Sequence, residues 1–335
     1  MNSDELFLEG YRYYNEAGCR DDLQKAADLL GQAAAMGNPA AQDILGHMYE
    51  DGDGVGQNLE IAAELYRKSS EQKYPSGMHD YGEFLLYGCG VNANPVEGFR
   101  LISEAVDISS NPDFIFTKSV CYLKGLGVEK DEAKAVSLLR SAADKGSVPA
   151  KANLGALMIA TDPETAFTYL KDAAEEQDPS AMCNLGLMYE SGLAVDKNVK
   201  IAESYYRQAA DLCYAPAYYH LAMLAVDGHI DLKEADPVGL LAEAGENGCG
   251  DAFFTLGVMY YDGNGVDQNM EIAANYFRAG SEAGNPDCMY NLATMIIDGY
   301  ASEEYPDELT DLIMDAADGG NKQAKSLVDD CFKDE

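Results

Sequence analysis

The sequence predicts an all-α chain of about nine antiparallel helix pairs closed by a lone C-terminal helix, and three observations predict it. First, a small residue recurs in one apolar stretch of each segment, at Gly46, Gly82, Ser119, Gly155, Gly186, Ala222, Gly257 and Ala293, with steps of 36, 37, 36, 31, 36, 35 and 36 residues. A period of this length kept over eight copies marks stacked two-helix units, none of which can bury its apolar face alone. Second, each stretch leads through a bend, usually glycine-rich, into another apolar-periodic stretch. Third, most segments are closed by glycine or asparagine and reopened by proline, as in GNPA (37–40), GSVPA (146–150), QDPS (177–180) and GNPD (284–287). Glycine just past a helix and proline in its first turn punctuate consecutive helices for steric reasons.

In chain order, a degenerate pair occupies 4–37 and eight regular units fill 38–320. Residues 38–74 join ILGHMYEDGDGV to IAAELYRKSS; 75–111 join YGEFLLYGCGV to EGFRLISEAVDIS; 112–148 join VCYLKGLGV to EAKAVSLLRSAADKG. In 149–178 the glycine bend is replaced by TDPE, which shortens the unit and accounts for the 31-residue step. Residues 179–214 join NLGLMYESGLAV to IAESYYRQAADL, where Ile201, Ala202, Tyr205 and Ala209 share one helical face. Units 215–249 and 285–320 carry altered loops, DGHIDLKEADPVGLL and DGYASEEYPDELTDL, around the regular unit 250–284. Residues 321–335 form the capping helix and tail. Glycine inside a helix costs roughly 0.5–1 kcal/mol relative to alanine. The recurring small residue therefore marks a point where two helices cross closely.

Composition bounds the function. With 23 Lys and Arg against 58 Asp and Glu the formal charge is −35, yet 47% of residues are hydrophobic and 22 are Tyr, which excludes ordinary disorder. The acidic balance disfavours nucleic acid and membrane surfaces and favours a protein or peptide partner of basic character. The opening MNSDELFLEG has no basic region followed by an apolar one, and a cytoplasmic location is expected. Eight cysteines never form CxxC and are expected to be buried free thiols. DGDGVGQN (51–58) and DGNGVDQN (262–269) fail as calcium loops, because Val55 and Val266 stand where an oxygen ligand is needed; valine is expected to plug the bend. GLGV (125–128) follows a helix and lacks the Lys and Ser/Thr of a phosphate-binding loop. With four histidines and neither GxSxG nor HExxH, no catalytic residue, metal or cofactor is assigned.

The pattern A-x-x-x-L-G-x-x-Y-x-x-G-x-G-V, followed by A-x-x-x-Y-x-x-A, resembles the Sel1-like repeat (SLR) family, akin to tetratricopeptide repeats. The best matches are Ala181, Leu185, Gly186, Tyr189, Gly192, Val195, Ala202, Tyr206 and Ala210, and then Ala252, Leu256, Gly257, Tyr260, Gly263, Gly265, Val266, Ala273 and Tyr276. The resemblance implies a right-handed α/α superhelical solenoid that serves as a non-enzymatic scaffold for protein partners. By the same analogy, positions three before, one after and four after each small residue line the inner wall. They give a binding groove of Phe116, Leu187, Tyr219, Met223, Phe254, Val258, Tyr261 and Tyr290. They also give a polar end of Asp43, His47, Glu50, His79 and Glu83. Its imidazoles and carboxylates suit either a divalent ion or a hydrogen-bonded groove floor, and no metal is assigned. Two functions follow: an adaptor holding a peptide or helix on the aromatic wall, or an acidic inhibitor sequestering a basic partner such as a toxin.

Overall fold

A computed structural model describes residues 1–230, 236–302 and 308–331, and among these every regular element is helical. The altered loops of units 215–249 and 285–320 lie partly outside the described residues, as does the end of the tail. The chain divides into two compact units, Met1–Leu154 and Gly155–Glu335. The first holds the pairs α1 (Ser3–Asn15) with α2 (Arg20–Ala35), α3 (Pro39–Asp51) with α4 (Leu59–Glu71), α5 (Pro75–Tyr87) with α6 (Pro95–Ile108), and α7 (Pro112–Lys124) with α8 (Glu132–Asp144). Helix α9 (Val148–Met158) spans the boundary. The second unit continues with α10 (Pro163–Glu175), α11 (Pro179–Ser191) with α12 (Val199–Asp211), α13 (Ala215–Val226) with α14 (Pro237–Glu246), α15 (Gly250–Asp262) with α16 (Met270–Glu282), α17 (Pro286–Ile297) with α18 (Glu308–Asp318), and the lone α19 (Lys322–Cys331).

Local chemistry sets these limits. Asn38, Asn58, Asp178, Asn198 and Asn269 each cap a helix by accepting a backbone N–H three residues on, at 2.7 to 3.2 Å. Gly52, Gly88, Gly125, Gly192 and Gly263 end first helices in the left-handed region, where other residues are strained. The bend then closes by one repeated bond: the amides of Asn58, Asn94, Asn198 and Asn269 donate to the carbonyls of Tyr49, Leu85, Tyr189 and Tyr260, all at 2.8 Å. Val55, Val91, Val128 and Val266 pack against core clusters from these bends, which supports the plug reading over a calcium loop.

The recurring small residue is a seat for a side chain of the second helix. A Cβ on Gly46 would stand 2.5 Å from the ring of Tyr66, one on Gly186 2.4 Å from Tyr206, and one on Gly257 2.4 Å from Phe277. Gly82 and Gly155 receive Ile102 and Leu170 in the same way. Two expectations are corrected here. The ring seated on Gly257 is Phe277, which is buried, and the aromatic of this unit's motif is therefore not its neighbour Tyr276, because Phe277 keeps the spacing from its glycine that Tyr66 and Tyr206 keep from theirs. In α12 the buried stripe is Ala202, Tyr206, Ala209 and Ala210, while Ile201 is exposed; the face is centred on the ring that fills the glycine seat.

Of the thiols, Cys121, Cys183 and Cys288 are buried, and desolvation raises each, Cys121 to about 11 and the other two to about 12. Cys19 and Cys213 are exposed. Because the thiolate is the reactive form, Ellman's reagent is expected to label Cys19 and Cys213 in the native protein, and the three buried thiols only after unfolding. Mass mapping of early-labelled peptides checks this; early labelling of Cys183 would contradict the packing of α11.

Candidate functional site

The most developed polar constellation lies in the first unit, where α3, α4, α5 and α7 meet. Asp43 and His47 share a face of α3, one turn apart, and α5 brings Asp80 against both. One Asp80 oxygen, Oδ2, stands 3.1 Å from His47 Nε2; the other, Oδ1, stands 2.7 Å from His79 Nδ1. The second nitrogen of His79 pairs with Thr117 Oγ1 of α7 at 2.9 Å, and its ring stacks on Phe114 at 4.5 Å. Glu83 approaches His79 Nδ1 at 3.8 Å.

Tyr66, seated on Gly46, reaches up from α4. Its hydroxyl donates to Glu50 Oε2 at 2.6 Å, and its oxygen lies 2.8 Å from His47 Nδ1. A carboxylate only accepts, so the tyrosine proton goes to Glu50 and His47 Nδ1 must be the donor to the tyrosine oxygen. This fixes the ring: Nδ1 carries a hydrogen, and Nε2 faces Asp80.

The charges are interlocked. Burial would lower the His47 imidazole, but the hydrogen bond and charge of Asp80, with Asp43 and Glu50 adding, outweigh it and push it up to about 9. Burial opposes ionisation of Asp80, yet its hydrogen bonds to His47 and His79 hold it below the usual carboxylate range. Asp43 shifts the other way. It is 3% exposed, and desolvation followed by repulsion from Asp80 keeps its carboxyl well above the ordinary value. Its Oδ1 has no hydrogen-bond donor. As carboxylates, Asp43 and Asp80 have nothing to offer one another; only a proton or a cation between them makes the contact favourable.

The structure thus brings together all five residues of the expected polar end but changes their standing. Asp43 and His79 are buried under the wall, Asp43 against His47 and Asp80 and His79 between Asp80, Thr117 and the ring of Phe114. His47, Glu50 and Glu83 border a cleft of about 320 Å³ that Asp80, Phe84, Tyr87 and Cys89 also line. Sequence reasoning missed Asp80, Tyr66 and Thr117. Asp80 and Thr117 stand two before the small residue, an offset the wall analogy leaves out, and Tyr66 belongs to a second helix.

The aromatic wall is a second, separate feature. Phe116 lies in the first unit, half-buried on α7. The remaining groove residues lie in the second unit: Leu187 on α11, Tyr219 and Met223 on α13, Phe254, Val258 and Tyr261 on α15, and Tyr290 on α17, all half-buried. Tyr219, Phe254, Val258 and Tyr261 cover core clusters with part of their surface. At the fourth-residue offset, Val226 is 41% and Ile297 62% exposed.

Short paired helices, glycine seats and a side-chain stripe on successive first helices define an α/α-repeat protein. The sequence model of the Sel1 repeat matches residues 8–38, 39–74, 75–107, 119–147, 152–178, 179–212 and 254–285, more than half of the chain, and the chain belongs to the Sel1 repeat family. Proteins of this family are protein-interaction scaffolds. Units 215–249 and 285–320, with the altered loops, fall largely outside the matches. The chain is 28% identical over 220 residues to an uncharacterised protein of Neisseria meningitidis serogroup B, covering 56% of this chain and 46% of the relative. It therefore spans less than half of that relative's length. Two solved structures share the fold. A protective antigen of uropathogenic Escherichia coli with an SLR fold is 24% identical with TM-score 0.56, over 96% of this chain and 70% of the other. A Sel1 repeat protein from Oxalobacter formigenes is 24% identical with TM-score 0.54, over 96% and 93%. Among the described residues no helix is long and apolar enough to cross a membrane.

Proposed function

We propose that the chain is a non-enzymatic adaptor that holds an apolar peptide or helix of basic character on the first-helix face of its second unit. The observation that carries this reading is the stripe from α11 to α17. Its aromatic rings are half-buried, so they are held rigid, and Val226 and Ile297 leave apolar surface in water. Rigid aromatics offer large contact area at modest entropy cost, and such anchors dominate binding energy. The −35 charge adds long-range attraction for Lys- and Arg-bearing partners and sets approach rate more than final affinity.

The test uses a displayed random-peptide library panned against the purified chain and against a Tyr219→Ala, Phe254→Ala, Tyr261→Ala variant with intact helicity. The wild type is expected to enrich peptides with apolar anchors at helical spacing flanked by basic residues, and the variant to lose them. Equal enrichment by both sinks the groove. If the variant binds basic peptides as well as the wild type and that binding collapses in salt, the acidic-inhibitor reading gains instead.

A further inference from the structure

We propose that Asp43, His47 and Asp80 form a binding site for a divalent transition ion of the zinc class, clamping α3 to α5. One donor atom from each lies within 4.8 Å of the other two, and the pair His47 Nε2 and Asp80 Oδ2 stands 3.1 Å apart. Ligands about 2.0–2.1 Å from zinc at tetrahedral angles lie about 3.3 Å from each other, so an inward movement of Asp43 of at most about 1.5 Å completes three corners. One imidazole and two carboxylates match the donor preference of such an ion.

Three independent features point to a ligand rather than to a mere polar cluster. Asp43 is 3% exposed and its Oδ1 is unpartnered, an expensive arrangement for a folded chain unless something positive occupies that place. His47 is already oriented as metal-bound histidines are: its Nδ1 hydrogen is held by the Tyr66 oxygen, which Glu50 fixes in turn, leaving Nε2 directed at the Asp80 carboxylate. The fold does not itself require these groups. In the second unit the same frame recurs, with Tyr206 seated on Gly186 and donating to Glu190 at 2.7 Å, but Cys183 and Leu187 stand where Asp43 and His47 stand here. His220, in the place of Asp80, stacks on Tyr206 at 5.0 Å and its pKa is lowered by burial. The polar set is thus an addition to a frame that closes without it.

Atoms and charge balance simply. Without the ion, protons on His47 Nε2 and between the two carboxylates neutralise the set; the dication displaces both and leaves the net charge unchanged. The adjoining cleft, bordered by His47, Asp80, Glu50 and Glu83, gives the entry path and room for a solvent molecule as fourth ligand. His79 completes the outer shell by holding the other Asp80 oxygen, and Thr117 holds the far nitrogen of His79 in turn.

The probe is cobalt(II) chloride added to the full chain after chelation and desalting, followed by visible spectroscopy and calorimetry. The expected result is saturation at one equivalent, visible bands without the intense near-ultraviolet thiolate absorption, competition by zinc, and a raised melting temperature. His47→Leu, which copies the Leu187 place, and the isosteric Asp43→Asn are each expected to weaken binding more than about 100-fold, since even outer-shell changes cost 10–100-fold. Tyr66→Phe, which loses only the orienting hydroxyl, is expected to weaken it within that smaller range. Absence of saturable binding overturns the proposal. So does a thiolate band, which would place the ion on cysteines, or unchanged affinity in folded His47→Leu and Asp43→Asn chains. If one variant fails to fold, the other decides.

Discussion

Replacing Gly186 with valine is expected to lower the unfolding free energy of the second unit by about 3 kcal/mol, the upper end of the usual cost of overpacking a core. The reason is the position of Tyr206. Its ring is fully buried and already lies 2.4 Å from where a Cβ would be built, with its hydroxyl tied to Glu190, so it cannot swing aside without breaking that bond. Gly31, inside α2, supplies the control. A Cβ there meets nothing within 4 Å, so Gly31→Ala is expected to stabilise by about 0.5–1 kcal/mol through helix propensity alone. Urea unfolding followed by far-ultraviolet circular dichroism measures both. If Gly186→Val is tolerated as well as Gly31→Ala, the period does not mark helix crossings.

These two glycines show what the sequence makes legible. A residue needed for steric reasons at every repeat leaves a period, and the period gives the helix pairs, their bends and their boundaries. The partner of the small residue is legible too in hindsight: Tyr66, Tyr206 and Phe277 each follow their glycine at one fixed spacing, though the neighbouring tyrosines at 205 and 276 obscure it. The candidate metal site is different because it is an exception to the repeat. Two before the small residue stand Asn153, Asn184, Thr255 and Asn291, which donate to a carbonyl of their own helix one turn back. Asp80 occupies that place as an acceptor and has no such outlet, so it draws on His47 and His79 instead. Asp80 is the one carboxylate in a column whose other members are Ile44, His220, three asparagines and two threonines, and that is the signal that finds it. Its meaning still depends on α3 and α5 being neighbours, and on Asp43 being buried without a donor, neither of which residue spacing alone supplies.

Deleting residues 179–214, which removes α11 and α12 together, is expected to leave a cooperatively folded chain, whereas deleting α11 and its bend alone (179–195) is expected to abolish cooperative unfolding of the second unit. A repeat array is stabilised by contacts between neighbours, so a whole unit can be taken out if the new neighbours match. Here they do. The turn after α10 and the turn after α12 share one geometry: Gln177 and Cys213 have φ of 64° and 58°, and the amides of Asp178 and Tyr214 return to the carbonyls of Ala173 and Ala209, both at 3.1 Å. Splicing Asp178 to Ala215 therefore brings α13 in where α11 was, with fully buried Ala217 taking the place of fully buried Ala181. Asp178 also supplies a side-chain cap that Tyr214 does not make. The cost is a mismatched contact surface of about 3 kcal/mol, a fall of roughly 6–12 °C at the 2–4 °C per kcal/mol expected for a unit of this size. The half-unit deletion has no such substitute. It leaves Tyr206 without Gly186 and exposes the alanine stripe of α12, burying nothing in exchange. Thermal melts followed at 222 nm, with dye binding to exposed apolar surface, separate the outcomes; equal damage from both deletions would mean that the pairs are not the units in which this chain is stabilised.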